Sequence, residues 1–180
     1  MKTEECPLLS LRKFEIFASM VGISNIYIDA VLAQCRKLIY WNGIFSCDNI
    51  PDKIRKGEED FAIIVNLAGH AEPGTHFIVL LQLKGKMFVF DSLALTGSML
   101  PDNLKLWTEE KDAINVLSKP IQDFNSDFCG FYCIYFILWL SLPNAERSKK
   151  RFSVLNFDYN LMSNDNKCIK MIVNMLKYQK

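Results

Sequence analysis

The chain has 180 residues, with 21 basic and 20 acidic side chains, a formal net charge of +1 and 50% hydrophobic residues. A chain of this length buries roughly 70% of its unfolded surface, which argues against a small scaffold held together by disulfides or metal. The near-zero charge argues against a protein whose main task is gripping nucleic acid, because that affinity comes mostly from neutralised phosphates. No repeat, linker or shift in composition divides the sequence, so we expect one domain over residues 1–180.

The cysteines and the apolar stretches indicate a protein of a reducing compartment. None of the six cysteines forms the CxxC pairs of zinc ribbons or thioredoxin-like sites, so we expect no metal and no cofactor. The N-terminus, MKTEECPLLSLRK, does not resemble a secretory signal. The most apolar stretch, residues 128–142, is shorter than the roughly 20 residues that span a bilayer. It predicts a buried central helix and no membrane contact.

The hydrophobic pattern predicts helices at both ends of the chain and strands between them. Ser24 precedes a helical pattern, and a second one begins near Cys168, with Ser163 as a possible cap. Residues 42–53 are rich in turn-forming residues. Apolar, β-branched runs predict three strands and a further short one. The strands are expected in residues 61–69, 75–83, 86–93 and 113–117, and another short helix in residues 10–18. The predicted class is α+β, a central mixed sheet flanked by helices.

Cys129 is the candidate nucleophile. It follows Asn125, Ser126 and Asp127, which are helix-capping residue types, and it precedes the predicted buried helix. The positive end of a helix dipole favours a thiolate. We expect Gly130 to leave room there for a substrate backbone. Taken alone, the cysteine is better explained as a small apolar residue within a helix.

A cysteine nucleophile needs an imidazole, and only His70 and His76 can supply one. His70 lies in a loop, whereas His76 opens a predicted strand. If that strand pairs with residues 86–93 about a Lys84–Gly85 turn, His76 and Asp91 project from one face. A turn one residue longer would place Asp91 on the other face. A histidine with a purely structural role is the alternative.

Gln122 is the last of the candidate site residues, and it lies seven residues before Cys129 in the loop that leads into the helix. Its amide can donate to an oxyanion, together with the Cys129 backbone N–H.

Three segments resemble the adenovirus-type maturation proteases, the adenains, whose clan includes the proteases of ubiquitin-like proteins. VNLAGHAEPGTHF is similar to the family's VN-x-AG-…-G-x-HW segment, with Phe77 in place of tryptophan. MFVFDSL resembles its strand that ends in the catalytic acid, and IQDFNSDFCGFYC resembles VQ-…-NS-x-x-CG-x-[FY]-C. The resemblance covers about residues 61–140, and a weaker one, in NGIFSCDNIP, is to members from virophages and virus-like transposons.

The resemblance implies an adenain-like fold with the catalytic cysteine at the start of the central helix. It gives His76, Asp91, Cys129 and Gln122 the roles of base, orienting acid, nucleophile and oxyanion donor. The implied function is a viral cysteine endopeptidase that cleaves capsid or core precursors at glycine-containing sites, as a monomer, in the virion and the infected cell. Residues 92–128 contain no cysteine, so we do not expect activation by a disulfide-linked peptide.

Two other functions fit the same sequence. One is a protease that removes ubiquitin-like modifiers, and the other is a catalytically silent scaffolding or interaction module. Nucleic acid is a further possible partner through the basic run in residues 147–151, for which a solvated surface is the alternative.

Overall fold

The computed structural model describes residues 23–33, 35, 38, 40–56, 59–95, 99–142, 157–158 and 160–177. The expected helix at residues 10–18 and the basic run at 147–151 lie outside the described residues. The described part contains five helices and five strands. The helices are α1 (Asn25–Leu32), α2 (Asp52–Lys56), α3 (Asp102–Glu110), α4 (Cys129–Leu140) and α5 (Leu161–Leu176). The strands are β1 (Trp41–Ser46), β2 (Phe61–Asn66), β3 (Phe77–Leu83), β4 (Lys86–Phe90) and β5 (Ile114–Asn115).

The strands form one open mixed sheet in the order β1-β2-β3-β4-β5. The central pairs, β2 with β3 and β3 with β4, are antiparallel, whereas the outer pairs, β1 with β2 and β4 with β5, are parallel. This arrangement confirms the predicted α+β class with a mixed sheet.

Helices cover both faces of the sheet, which explains why β2 and β3 are apolar without interruption. Alternate residues of a strand point to opposite faces. Ala62 and Ile64 therefore belong to the core beneath α1, α4 and α5, and Ile63 and Val65 to a second core beneath α2 and α3. Helix α4 is buried along nearly all its length, as predicted, and its Phe136 stacks on Phe90 of β4 at 4.2 Å between ring centroids.

The helix ends differ in detail from the prediction. Helix α1 begins directly after Ser24, where a helix was predicted, and the Ser24 side chain caps it by accepting a hydrogen bond from the Tyr27 amide. Helix α5 begins earlier than predicted, with Asn160 as its cap. Ser163 lies inside the helix instead, and its hydroxyl donates to the Asn160 carbonyl. The prediction of Ser163 as a cap was therefore wrong.

Two segments for which no helix or strand was predicted contain regular secondary structure. Within the turn-rich residues 42–53, β1 continues to Ser46 before the turn begins, and α2 follows. Helix α3 had no counterpart in the prediction. Among the described residues no helix has the length and apolarity needed to cross a bilayer.

Candidate functional site

The hairpin of β3 and β4 brings His76 and Asp91 together. Lys84 and Gly85 both have positive φ, the conformation of a two-residue type I′ turn. This turn fixes the expected register, with Val79 opposite Phe90 and Leu83 opposite Lys86. His76 lies just before β3 and Asp91 just after β4, and the His76 Nε2–H donates to Asp91 Oδ1 over 2.7 Å.

The second partner of the His76 ring is Cys129. Because Nε2 faces Asp91, Nδ1 is the nitrogen left to interact with the Cys129 thiol, which lines the same cleft. Burial alone lowers the pKa of His76, but the hydrogen bonds and charges of Asp91 and Cys129 outweigh it and raise the pKa to about 9. The imidazole is therefore protonated at neutral pH and lies between an acid and a thiol.

Asp91 is held by contacts besides that with His76. Its Oδ1 also accepts from the Leu93 amide over 2.9 Å, and its Oδ2 accepts from the Leu95 amide over 3.0 Å. These bonds fold the chain into a turn directly after β4. These backbone contacts fix the direction of the carboxylate independently of its bond to the imidazole.

Cys129 is the first residue of α4, as the sequence predicted. The cap is Phe128, which makes no side-chain capping bond, and Ser126 instead accepts from the Phe128 amide through its hydroxyl at 3.3 Å. The polar residues before Cys129 therefore shape the approach to the helix and do not cap it. The Cys129 amide belongs to the first turn, where backbone N–H groups have no acceptor within the helix.

Gln122 is 1% exposed, and its side chain is held at both ends. The Ser92 hydroxyl donates to Oε1 over 2.6 Å, and Nε2 donates to the Ser126 carbonyl over 2.6 Å. Nε2 also lies 3.4 Å from the Ser126 hydroxyl oxygen, so Ser126 offers an acceptor to each of the two N–H groups of the amide. Gln122 and Cys129 line the same cleft.

The loop from Ile121 to Phe128 is attached to α4 and α5. The Ile121 carbonyl accepts from the Tyr132 hydroxyl over 3.1 Å and from Asn164 Nδ2 over 2.9 Å. Asn164 is fully buried, and it also exchanges hydrogen bonds with the backbone of Asp158. The C-terminal helix therefore helps to set where Gln122 lies.

A cleft of about 760 Å³ extends from three of the four predicted site residues to the loop before β3. His76, Gln122 and Cys129 line it, and so does His70, the other imidazole. His70 is exposed, and its backbone amide donates to the Asp48 carboxylate. The structure thus joins His76, and not His70, to both Asp91 and Cys129.

The loop before His76 is arranged by Asn66, a residue that the sequence analysis did not select. Its Oδ1 accepts from the amides of Ala68 and Thr75, so one buried side chain closes the loop at both ends. Ser92 and Asn164 were also missed, because each binds the segment at 121–122, which lies far from it in the sequence. Ser126 was selected only as a helix-capping residue type.

Gly130 does not have the expected role. A Cβ atom built on it would lie 2.1 Å from Ile23 Cγ2 and 2.9 Å from Ile28 Cδ1. The glycine therefore allows close packing of the start of α1 on α4. It does not provide open space for a substrate backbone, and that expectation was wrong.

The other described cysteines do not line the cleft. Cys35, Cys47, Cys133 and Cys168 are free thiols, and burial raises the pKa of each, to about 11 for Cys35. Within the described ranges no group of three or more His, Cys, Asp or Glu side chains is arranged to hold a metal ion.

The chain was compared with models of known protein families and with curated proteins, and neither comparison found a match.

Proposed function

We propose that the protein is a cysteine endopeptidase in which Cys129 is the nucleophile, His76 the acid and base, Asp91 the orienting acid and Gln122 an oxyanion donor. The observation that carries the proposal is the position of the His76 ring, which is hydrogen-bonded to Asp91 over 2.7 Å and lines the same cleft as Cys129, whose thiol helps to raise the pKa of His76. This is the arrangement of an activated thiol, its base and the group that orients the base.

The electrostatics support a thiolate mechanism. A cationic imidazole beside a cysteine at a helix N-terminus favours the thiolate. The Cys129 sulfur attacks the scissile carbonyl carbon, and a tetrahedral oxyanion forms. The Cys129 backbone N–H and the Gln122 N–H that makes only the long, 3.4 Å contact with the Ser126 hydroxyl are the groups that can donate to this oxyanion.

The proton then passes through His76. The imidazolium gives a proton to the leaving amine, the C–N bond breaks, and a thioester with Cys129 remains. Neutral His76 next takes a proton from water, which attacks the thioester and releases the carboxylic acid. Asp91 holds the ring in one orientation throughout both steps.

The resemblance of three segments to adenains supports a substrate class. We propose precursors of capsid or core proteins, cleaved beside glycine within the assembling virion or infected cell. The cleft of about 760 Å³ beside Cys129 has the size of a site for several residues of an extended peptide.

The test is cleavage of a library of peptides in which glycine is placed at each position, with product termini identified by mass spectrometry. We expect the native protein to cut beside glycine and Cys129→Ala to cut nothing. Cys133→Ala is the matched control, because it removes a thiol one turn along α4, and it should cut normally.

A second substrate separates the proposal from its nearest rival. A ubiquitin-like modifier fused through its C-terminal Gly-Gly to a reporter is offered beside the library. Cleavage of the fusion alone would assign a deconjugating protease. An inert native protein with correctly folded spectra would assign a catalytically silent module.

A further inference from the structure

We propose that Ser92 is a positioning residue, which holds the Gln122 amide in place beside the cleft by donating to its Oε1. The inference rests on the proposed function, in which Gln122 donates to the oxyanion. Ser92 follows the orienting acid Asp91 directly, so one short turn carries both the acid and the support of the oxyanion donor.

Ser92 holds Gln122 by its backbone as well as by its side chain. Its hydroxyl donates to Gln122 Oε1 over 2.6 Å. Its carbonyl accepts from the amides of Ile121 and Gln122 over 2.8 and 3.1 Å. Ser92 is 1% exposed, so water does not compete for these bonds.

The two ends of a glutamine amide are similar in shape but differ in hydrogen bonding, so each end needs a partner of the right kind. The Ser126 carbonyl can only accept, and it lies 2.6 Å from Nε2. A donor on the other side is then needed for Oε1, and the Ser92 hydroxyl supplies it. With Ser92 in place, the NH₂ group is fixed toward Ser126 and the cleft.

Removing the hydroxyl leaves Oε1 buried without its donor. An unpaired buried acceptor is costly, so the amide would rotate or shift to find another partner. Either movement displaces the N–H that meets the oxyanion. The turn itself should survive, because Asp91 still accepts from the Leu93 and Leu95 amides.

The kinetic test compares Ser92→Ala with Ser141→Ala. Ser141 is a buried serine at the end of α4, and its hydroxyl donates to the Ile137 carbonyl. We expect Ser92→Ala to lower kcat about tenfold, less than the roughly hundredfold loss for an absent oxyanion donor, with KM nearly unchanged. Ser141→Ala should leave kcat unchanged. Ser92→Thr, which restores a hydroxyl, should recover most of the loss.

A double-mutant cycle separates positioning from general stability. In a Gln122→Ala background Ser92→Ala should cause no further loss of kcat, because nothing remains to position. An equal loss in both backgrounds, or no loss in the native background, overturns the proposal. If Ser92→Ala does not fold, Ser92→Cys keeps the volume with a weaker donor and replaces it in the cycle.

A measurement without turnover distinguishes failure of this inference from failure of the proposed function. The side-chain NH₂ signals of Gln122 in an ¹⁵N-labelled sample are identified by their absence in Gln122→Ala. We expect two separate, exchange-protected signals in the native protein and faster exchange in Ser92→Ala. Unchanged signals would refute the positioning role even in an active enzyme, and an inert native protein with the expected signals would refute only the proposed function.

Discussion

His76 Nε2 lies 2.7 Å from Asp91 Oδ1, although neither residue belongs to a strand. His76 directly precedes β3, and Asp91 directly follows β4. The two-residue turn at Lys84 and Gly85 sets this distance, because it fixes the register of β3 on β4 from the far end of the hairpin. The candidate site thus depends on a turn at the opposite end of these two strands.

Substitutions of Asp91 should separate its electrostatic role from its structural one. Asp91→Asn keeps an acceptor but removes the charge, so the pKa of His76 should fall below about 9. Asp91→Ala also removes the acceptor for the Leu93 and Leu95 amides and should lower the free energy of unfolding by about 2–4 kcal/mol. NMR titration of the His76 ring and urea unfolding measure the two effects.

The matched control is Asp60→Asn, since Asp60 accepts from the Lys84 amide at the other end of the hairpin. It should leave the His76 titration as it is. An unchanged His76 pKa in Asp91→Asn would contradict the assigned cause of the shift.

The raised pKa of His76 predicts how stability depends on pH. The pKa is about 9 in the folded protein against an ordinary value of 6.5, so the folded state binds the proton more tightly. The stabilisation is fully present below pH 6.5 and is lost as pH rises from 6.5 to 9. Its size is about 3 kcal/mol by proton linkage.

Urea unfolding at pH 6, 7.5 and 9 tests this. The native protein should lose stability over the range, and His76→Gln should lose much less of it. His70→Gln, which removes the exposed imidazole of the same cleft, should behave like the native protein. Parallel curves for the native protein and His76→Gln would disprove the linkage.

Alkylation should single out Cys129 among the described cysteines. It lines the cleft beside a cationic imidazole, whereas Cys133 and Cys168 are enclosed in the core and burial raises the pKa of both. Brief treatment of the folded protein with iodoacetamide at pH 7, followed by peptide mass spectrometry, should label Cys129 at least about tenfold faster than those two.

The dependence on His76 is the sharper part of this prediction. His76→Ala should slow the labelling of Cys129, and His70→Ala should not. Equal labelling rates of Cys129 in the two variants would show that the neighbouring imidazole does not activate the thiol.

The sequence was sufficient to predict those parts of the site whose geometry is determined by residues close to each other in the chain. A Lys-Gly turn between two apolar runs determines register, and register determines that residues 76 and 91 share a face. The position of Cys129 followed from the length and apolarity of the segment after it. These features depend on neighbours in the sequence.

The features that escaped prediction depend on distant partners or on weak patterns. In β1 the strand is interrupted by an irregularity between Trp41 and Gly43, and Gly43 has a φ of 119°, so the alternating pattern is lost. Helix α3 buries little besides Leu104, Trp107 and Thr108, which leaves a faint helical signal. The buried roles of Ser92 and Asn164 arise from contacts with the segment at 121–122, which lies far from each in the sequence.

Gly130 shows how a residue within a predicted motif can serve packing. Alanine favours a helix over glycine by about 1 kcal/mol, so Gly130→Ala would stabilise α4 if there were room. A Cβ atom would lie only 2.1 Å from Ile23 Cγ2, however, and overpacking of a core costs about 1–3 kcal/mol. We expect Gly130→Ala to lower the free energy of unfolding by an amount in this range, measured by urea unfolding.

The cause of that loss can be tested with Ile23→Ala, which removes the atom that the new methyl group meets. In this background Gly130→Ala should cost much less or should stabilise the protein, so the two substitutions are not additive. Gly85→Ala is the control, because no atom lies within 4 Å of its added Cβ and its cost comes from the positive φ of 74°. Its cost should be the same with Ile23 or Ala at position 23, because the strain is local to the turn. If Gly130→Ala were equally destabilising in both backgrounds, contact with Ile23 would not be the reason that glycine follows Cys129.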